Sequence, residues 1–137
     1  MANAVVANYR ARWLHNREFI ATLPDKFCDW ILTGAFYAAV HAIETLIAFD
    51  GQPNHTSHES RNNVLKRVKR YEHIWKHYRE LYNGSQTTRY HPQPNDWIPA
   101  GQIKNVWVPN YLYPIEKSVL KLIGESTPLP AIEWKSA

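Results

Sequence analysis

The sequence predicts an all-α fold, a single-domain antiparallel bundle of four or five helices. Three observations carry that prediction. Apolar residues recur at helical spacing through successive stretches of the chain. Capping and stopping residues punctuate those stretches. No segment alternates apolar and polar residues strongly enough to name a strand.

Residues 2–23 form the first expected helix, with Val6, Tyr9, Trp13, Phe19, Ile20 and Leu23 apolar and Pro24 as the stop. Asp25 or Asp29 can cap the second. Its body, from Trp30 to Phe49, is apolar nearly all round, which marks a buried central helix. Gly34, Ala35, Ala38, Ala39 and Ala42 let neighbours approach closely, and Gly51 suits the position after its end. Thr56 and Glu59 have capping-box spacing for a third helix. The short connection makes helices two and three an antiparallel pair. Helical pattern continues through Val64, Leu65, Val68, Tyr71, Ile74, Trp75, Tyr78, Leu81 and Tyr82, with a break near Arg70–Tyr71 left open. Asn83–Gly84 would ordinarily stop it. Residues 91–109 are expected to be an irregular Pro/Trp-rich connection, punctuated by Pro92, Pro94, Pro99, Gly101 and Pro109. Trp97, Ile98, Val106, Trp107 and Val108 imply that it packs across the bundle or against a partner. Tyr111 to Ile123 is the last expected helix, with Pro114 in its first turn and Gly124 at its end. A short tail follows from about residue 125.

Composition bounds what such a domain can do. With 137 residues, 45% hydrophobic and 13% aromatic, the chain can bury a core, and nothing in it suggests disorder. A net charge of +4 permits a nucleic-acid partner without requiring one. The single cysteine, Cys28, rules out an intrachain disulfide and any multi-cysteine metal site. A cytoplasmic protein with a buried Cys28 is the expectation. The N-terminus lacks the charged-then-apolar order of a signal peptide. Trp30–Phe49 is long enough to span a membrane, but His41 and Glu44 near its centre would be costly in lipid, so no membrane partner is expected.

The chemistry concentrates in two places. Tyr37, His41 and Glu44 recur at i, i+4 and i+7 and form one polar stripe on the central helix. A polar stripe on a buried helix needs partners, and the next polar cluster, His58, Arg61 and Asn62, is positioned to supply them. Together these six residues include the base, acid and positive charge that metal-free cleavage of a phosphodiester needs. His41 and His58 share the proton work, Glu44 orients His41, and Arg61 forks onto the phosphate. They can equally hold two helices in register, through an Arg61–Glu44 ion pair with His58 as a cap and His41 bonded to a carbonyl. The second place is the basic run Lys66, Arg67, Lys69, Arg70, Lys76 and Arg79, a candidate RNA-backbone track. Tyr71, Trp75 and Tyr78 interleave with it. They offer stacking surfaces in one reading and core anchors in the other, which their shared helical face favours. His73 and His77 have helical metal-pair spacing, and His55 and His58 are close in sequence, but no third ligand stands out, so no metal is expected. No glycine-rich phosphate loop appears, and no cofactor is expected.

The runs AFYAAVHAIE, SHESRN and YRELYNGSQTTRY, within about residues 29–90, resemble the HEPN-type helical domains of bacteria and archaea. The resemblance implies a four- or five-helix bundle, often dimeric, with roles in RNA cleavage, antiviral defence and toxin–antitoxin systems, or partnership with nucleotidyltransferases. It also implies that helix continues past Asn83–Gly84 toward Arg89–Tyr90. Ribonuclease members carry Arg, a polar residue, three or more others, then His. Arg61–Asn62 opens that pattern, and Val64 to Val68 contain no histidine to close it. Arg10–His15, Arg67–His73 and Arg70–His77 have the right spacing without the polar residue after the arginine. The expected assembly is a homodimer or a complex with a protein partner, its seam covered by Trp97 and Trp107.

Overall fold

The computed structural model describes residues 2–52, 57–90, 93 and 97–135. The architecture is all-α, with no strand among the described residues. Helix α1 spans Ala2–Thr22 and α2 spans Cys28–Phe49, joined through a 3-10 turn at Asp25–Phe27. Helix α3 spans His58–Arg67. A second 3-10 turn, Lys69–Tyr71, leads into α4, Glu72–Tyr90. Ala100–Gln102, a π-helical stretch Ile103–Leu112 and Tyr113–Leu122 follow one another without a break and together are called α5.

Residue pairs along the helices fix their directions. Asp50 at the end of α2 bonds Tyr71 at the start of α4, while Tyr37 earlier in α2 bonds Arg89 near the end of α4. Helices α2 and α4 are therefore antiparallel. Gly84 of α4 meets Trp107 of α5, and Arg70 reaches the Leu122 carbonyl, so α4 and α5 are antiparallel as well. Ile20 of α1 packs against Gly34 of α2 close to their connection, as in a helical hairpin. The four long helices alternate in direction around one core, with α2 at its centre. Helix α2 is long and apolar enough to cross a membrane by length and composition alone, and 78% of that stretch is buried inside the bundle.

Several boundaries differ from the sequence expectation, each for a physical reason. Ser57 is the N-cap of α3, its hydroxyl accepting from the Ser60 N–H at 3.0 Å. The expected cap, Thr56, lies outside the described residues. The open break falls at Val68, whose extended backbone separates α3 from the 3-10 turn. Asn83–Gly84 does not stop α4. The missing side chain at Gly84 instead admits Trp107, since a Cβ there would lie 2.6 Å and 2.8 Å from Trp107 ring atoms. The connection expected to be irregular through residue 109 is helical from Ala100 onward, and the final helix starts there and not at Tyr111. Pro109 suggested a break because it has no N–H and crowds the carbonyl one turn back. The wider π-helical backbone accommodates it inside a continuous helix. Gly51 and Gly124 adopt φ of 71° and 86° after α2 and α5, the left-handed conformation that glycine tolerates best. Cys28 is half-buried, more open than expected.

Two clamps lock the bundle. Asp50 accepts two hydrogen bonds from Arg70, at 3.0 Å and 3.1 Å, and one from the Tyr71 hydroxyl at 2.5 Å. Burial, then this bond, holds the Tyr71 phenol well above its ordinary pKa. Glu116 of α5 is 3% exposed and accepts from the Trp13 indole at 2.6 Å and the Arg17 guanidinium at 2.7 Å. Burial raises the Glu116 pKa, and Arg17 and Trp13 oppose the rise. Arg17 also donates to the Pro130 carbonyl, Tyr113 accepts from the Ile132 N–H, and Lys135 N–H bonds the Ala21 carbonyl. These bonds lay the C-terminal tail along α1.

Candidate functional site

Helix α2 supplies Tyr37, His41 and Glu44 from one face, as their spacing requires. Helix α3 brings His58 against Phe36 and Tyr37, and Arg61 against Glu44. It therefore runs in the same direction as α2, not antiparallel to it as expected, and starts back alongside the middle of α2. The His41 Nδ1 lies 2.7 Å from a Glu44 oxygen. An ionised carboxylate only accepts, so Nδ1 carries the proton and Nε2 keeps a free lone pair. Glu44's other oxygen is 3.7 Å from Arg61, a weak ion pair. Arg61 is 4% exposed, and its Nη1 donates to His58 Nδ1 at 3.1 Å. A guanidinium only donates, so a neutral His58 carries its proton on Nε2.

The six expected site residues are thus brought together except in one respect. Asn62 has a buried side-chain oxygen with no hydrogen-bond partner and makes no bond to the others. The Tyr37 ring lies between the two imidazoles, its centroid 6.3 Å from each.

Helix α4 contributes a residue that the sequence reading missed. Arg89 donates to the Tyr37 hydroxyl at 3.3 Å and to the Ser85 carbonyl at 3.4 Å. Its guanidinium packs over the rings of Phe36, Tyr37 and Tyr90, 5.3 Å to 5.7 Å from their centroids. The signal was present in the sequence: Tyr78, Tyr82, Ser85 and Arg89 share one face of α4 once the helix is carried through Gly84. Tyr82 and Phe36 complete the aromatic wall around His58, at 5.8 Å and 5.6 Å.

Two cations therefore act on His58. Burial, then Arg61, then Arg89 push its pKa below the ordinary histidine value, with Glu44 pulling the other way. Burial pushes the Tyr78 phenol up to about 12, opposed by the neighbouring Arg61. Hydrogen-bond capacity is left over. Arg89 Nη2 is buried without a partner. Arg61 Nε and the Tyr78 hydroxyl are buried without a well-formed bond, although Arg61 lies close enough to Tyr78 for a small shift to join them. Buried donors normally find acceptors. Two arginines around His58, with one carboxylate beside Arg61 and spare N–H groups, form a cluster that an anion would complete.

The basic run has a different fate. Lys66, Arg67, Lys69, Lys76 and Arg79 are exposed on α3, the 3-10 turn and α4. Arg70 is engaged by Asp50 and the Leu122 carbonyl, which removes it from a free cationic track. Tyr71 and Tyr78 are core residues. Half-buried Trp75 carries Lys66 over its ring at 5.0 Å. The interleaved aromatics point inward, as their common face indicated. His15 and His73 are exposed, and His77 bonds the His73 carbonyl, so none of the Arg–His spacings outside the cluster builds a site. No group of three His, Cys, Asp or Glu side chains converges among the described residues. His55 lies outside the described residues. Trp107 packs against Gly84 and Tyr111 within its own chain.

Comparison with family models, characterised proteins and solved structures returns no match to this chain. The HEPN resemblance stands on the quoted segments and the all-α bundle alone.

Proposed function

We propose that the α2–α3–α4 cluster binds a phosphodiester of RNA and that the protein is a HEPN-like, metal-independent endoribonuclease. The observation that carries this reading is the imbalance at His58: two arginines act on it against a single carboxylate, which itself contacts His41 and Arg61, with arginine N–H groups unpartnered. In the proposed reaction, His41 Nε2 takes the proton of the 2′-hydroxyl, and Glu44 stabilises the resulting imidazolium. The O2′–P bond forms and the P–O5′ bond breaks. Arg61 turns from His58 Nδ1 to the phosphate, which frees that nitrogen. The arriving negative charge offsets the arginine field, so His58 takes up a proton from solvent and delivers one to the departing O5′. Arg61 and Arg89 meet the charge that develops on the phosphoryl oxygens.

A second reading has its own observation. Arg61 is 4% exposed and already faces Glu44, as in a structural pair. On this reading the protein is a non-catalytic helical module that binds RNA through the exposed Lys66, Arg67, Lys69, Lys76 and Arg79, or binds a protein partner. The experiment that separates the two incubates the protein with labelled single-stranded RNA in chelator, beside Arg61→Ala and His58→Ala, with folding checked by circular dichroism. Cleavage by wild type that both variants lose supports the enzyme. Intact RNA bound with a steep salt dependence supports the module, and absence of binding at low salt leaves the protein partner. A homodimer is the proposed assembly, and a strict monomer by light scattering at high concentration would remove it.

A further inference from the structure

We infer that Arg89 and Tyr90 form a nucleobase platform at the edge of the cluster: Arg89 holds the phosphate and Tyr90 stacks the base of the adjoining nucleotide. This rests on the phosphate reading of the cluster and adds a recognition role that the catalytic residues do not supply. Tyr90 is the last residue of α4 and is 72% exposed, the most open large aromatic among those described. Among the described residues, that ring is met by its neighbour, Arg89. The Arg89 guanidinium lies 5.3 Å from the Tyr90 centroid and 5.7 Å from the Tyr37 centroid, so it bridges an exposed ring and a half-buried one. Its Nη1 is fixed by Tyr37 and its Nε by the Ser85 carbonyl, while Nη2 has no partner. A guanidinium held in this way has N–H groups left over, two of them on the buried Nη2, that a phosphoryl oxygen can take once it displaces the packing over them. Such an oxygen would sit beside Tyr90, within one nucleotide's reach of an exposed aromatic face. Stacking of that kind tolerates any base, because every base presents a π-face.

The test uses an uncleavable probe, a short single-stranded 2′-O-methyl oligonucleotide, beside a copy of the same backbone with all bases removed. Wild type, Tyr90→Ala and Tyr90→Phe are titrated with both, with circular dichroism confirming that each is folded. Wild type binds the intact probe more tightly than the abasic one. Tyr90→Ala reduces that preference about ten-fold, whatever its effect on abasic binding, whereas Tyr90→Phe retains it. An unchanged preference in Tyr90→Ala overturns the platform. If Arg61→Ala meanwhile weakens both probes, the phosphate reading survives and only the platform falls. If wild type binds neither probe at low salt, both readings fall together.

Discussion

Gly84→Ala tests how the bundle carries α4 past an Asn–Gly pair to Arg89. At an ordinary exposed helical position the change stabilises, because alanine is favoured over glycine by about 1 kcal/mol. Here the new methyl would lie 2.6 Å and 2.8 Å from Trp107 Cζ3 and Cη2. Those atoms belong to a fused ring that packs edge-on against Tyr111 at 5.3 Å, so the ring has little room to swing away. Overpacking of this kind costs about 1–3 kcal/mol. Set against the propensity gain, the expected outcome is a net loss from near zero up to about 2 kcal/mol. Urea unfolding, followed by circular dichroism at 222 nm, measures it. Trp107→Leu removes the obstructing ring, and in that background Gly84→Ala should become neutral or favourable by about 1 kcal/mol. A Gly84→Ala protein more stable than wild type by about 1 kcal/mol would refute the close-approach argument.

Asp50→Ala leaves the Tyr71 hydroxyl without its acceptor and releases Arg70, and should destabilise by about 1–3 kcal/mol in urea unfolding. Glu44→Gln removes the carboxylate facing buried Arg61. Because that pair is long at 3.7 Å, the expected loss is about 1–2 kcal/mol, below the range for a tight buried pair. On the proposed ribonuclease reading, its RNA cleavage should fall more than its stability, since His41 loses the group that orients it. His58 gives a pH signature. Its folded-state pKa lies below the ordinary 6.5, so on acidification the unfolded chain binds a proton before the folded one does. The His58 contribution to stability is therefore present above pH 6.5 and lost as pH falls through the folded pKa. Unfolding free energies at pH 7.5 and pH 5 should differ less in His58→Gln than in wild type, and an identical pH dependence in the two would contradict the assigned environment. Contributions from Glu116 are common to both proteins and cancel in that comparison.

Much of the architecture was legible because its signals are local. The apolar Trp30–Phe49 run, Gly51, Pro24 and Gly124 each act through their own backbone and immediate neighbours, and α2 is central as its composition required. The juxtaposition of Glu44 with Arg61 was legible from the polar stripe on a buried helix. The direction of α3 was not, since the short connection suggested an antiparallel pair and α3 runs with α2. What sequence reasoning missed depends on tertiary contact. Gly84 reads as a helix stop until Trp107 is found in the space it leaves. Pro109 reads as a break until a π-helical backbone is seen to absorb it. The resemblance carried α4 on toward Arg89–Tyr90, but Arg89 was not singled out as the second cation of the site, because its partner Tyr37 is distant in sequence. Arg70 looked like part of a basic track because its partner, Asp50, is distant in sequence.

The three buried or half-buried carboxylate clusters of the bundle differ in a way that bears on function. Asp50 receives two bonds from one arginine and a third from a phenol. Glu116 receives an indole N–H and a guanidinium N–H. In both, acceptor capacity is well used and the cations are held by a single acid, which is what a stabilising clamp requires. Glu44 is the exception. It has one short partner, His41, while Arg61 stands off at 3.7 Å and turns its Nη1 to a neutral imidazole. A second arginine arrives from α4 without bringing an acid. Had this cluster served only to join helices, a closer Arg61–Glu44 pair and an apolar residue in place of Arg89 would satisfy the interior better. The surplus of donors around His58 is the feature that a phosphate would neutralise, and it distinguishes this cluster from the two clamps that hold the fold.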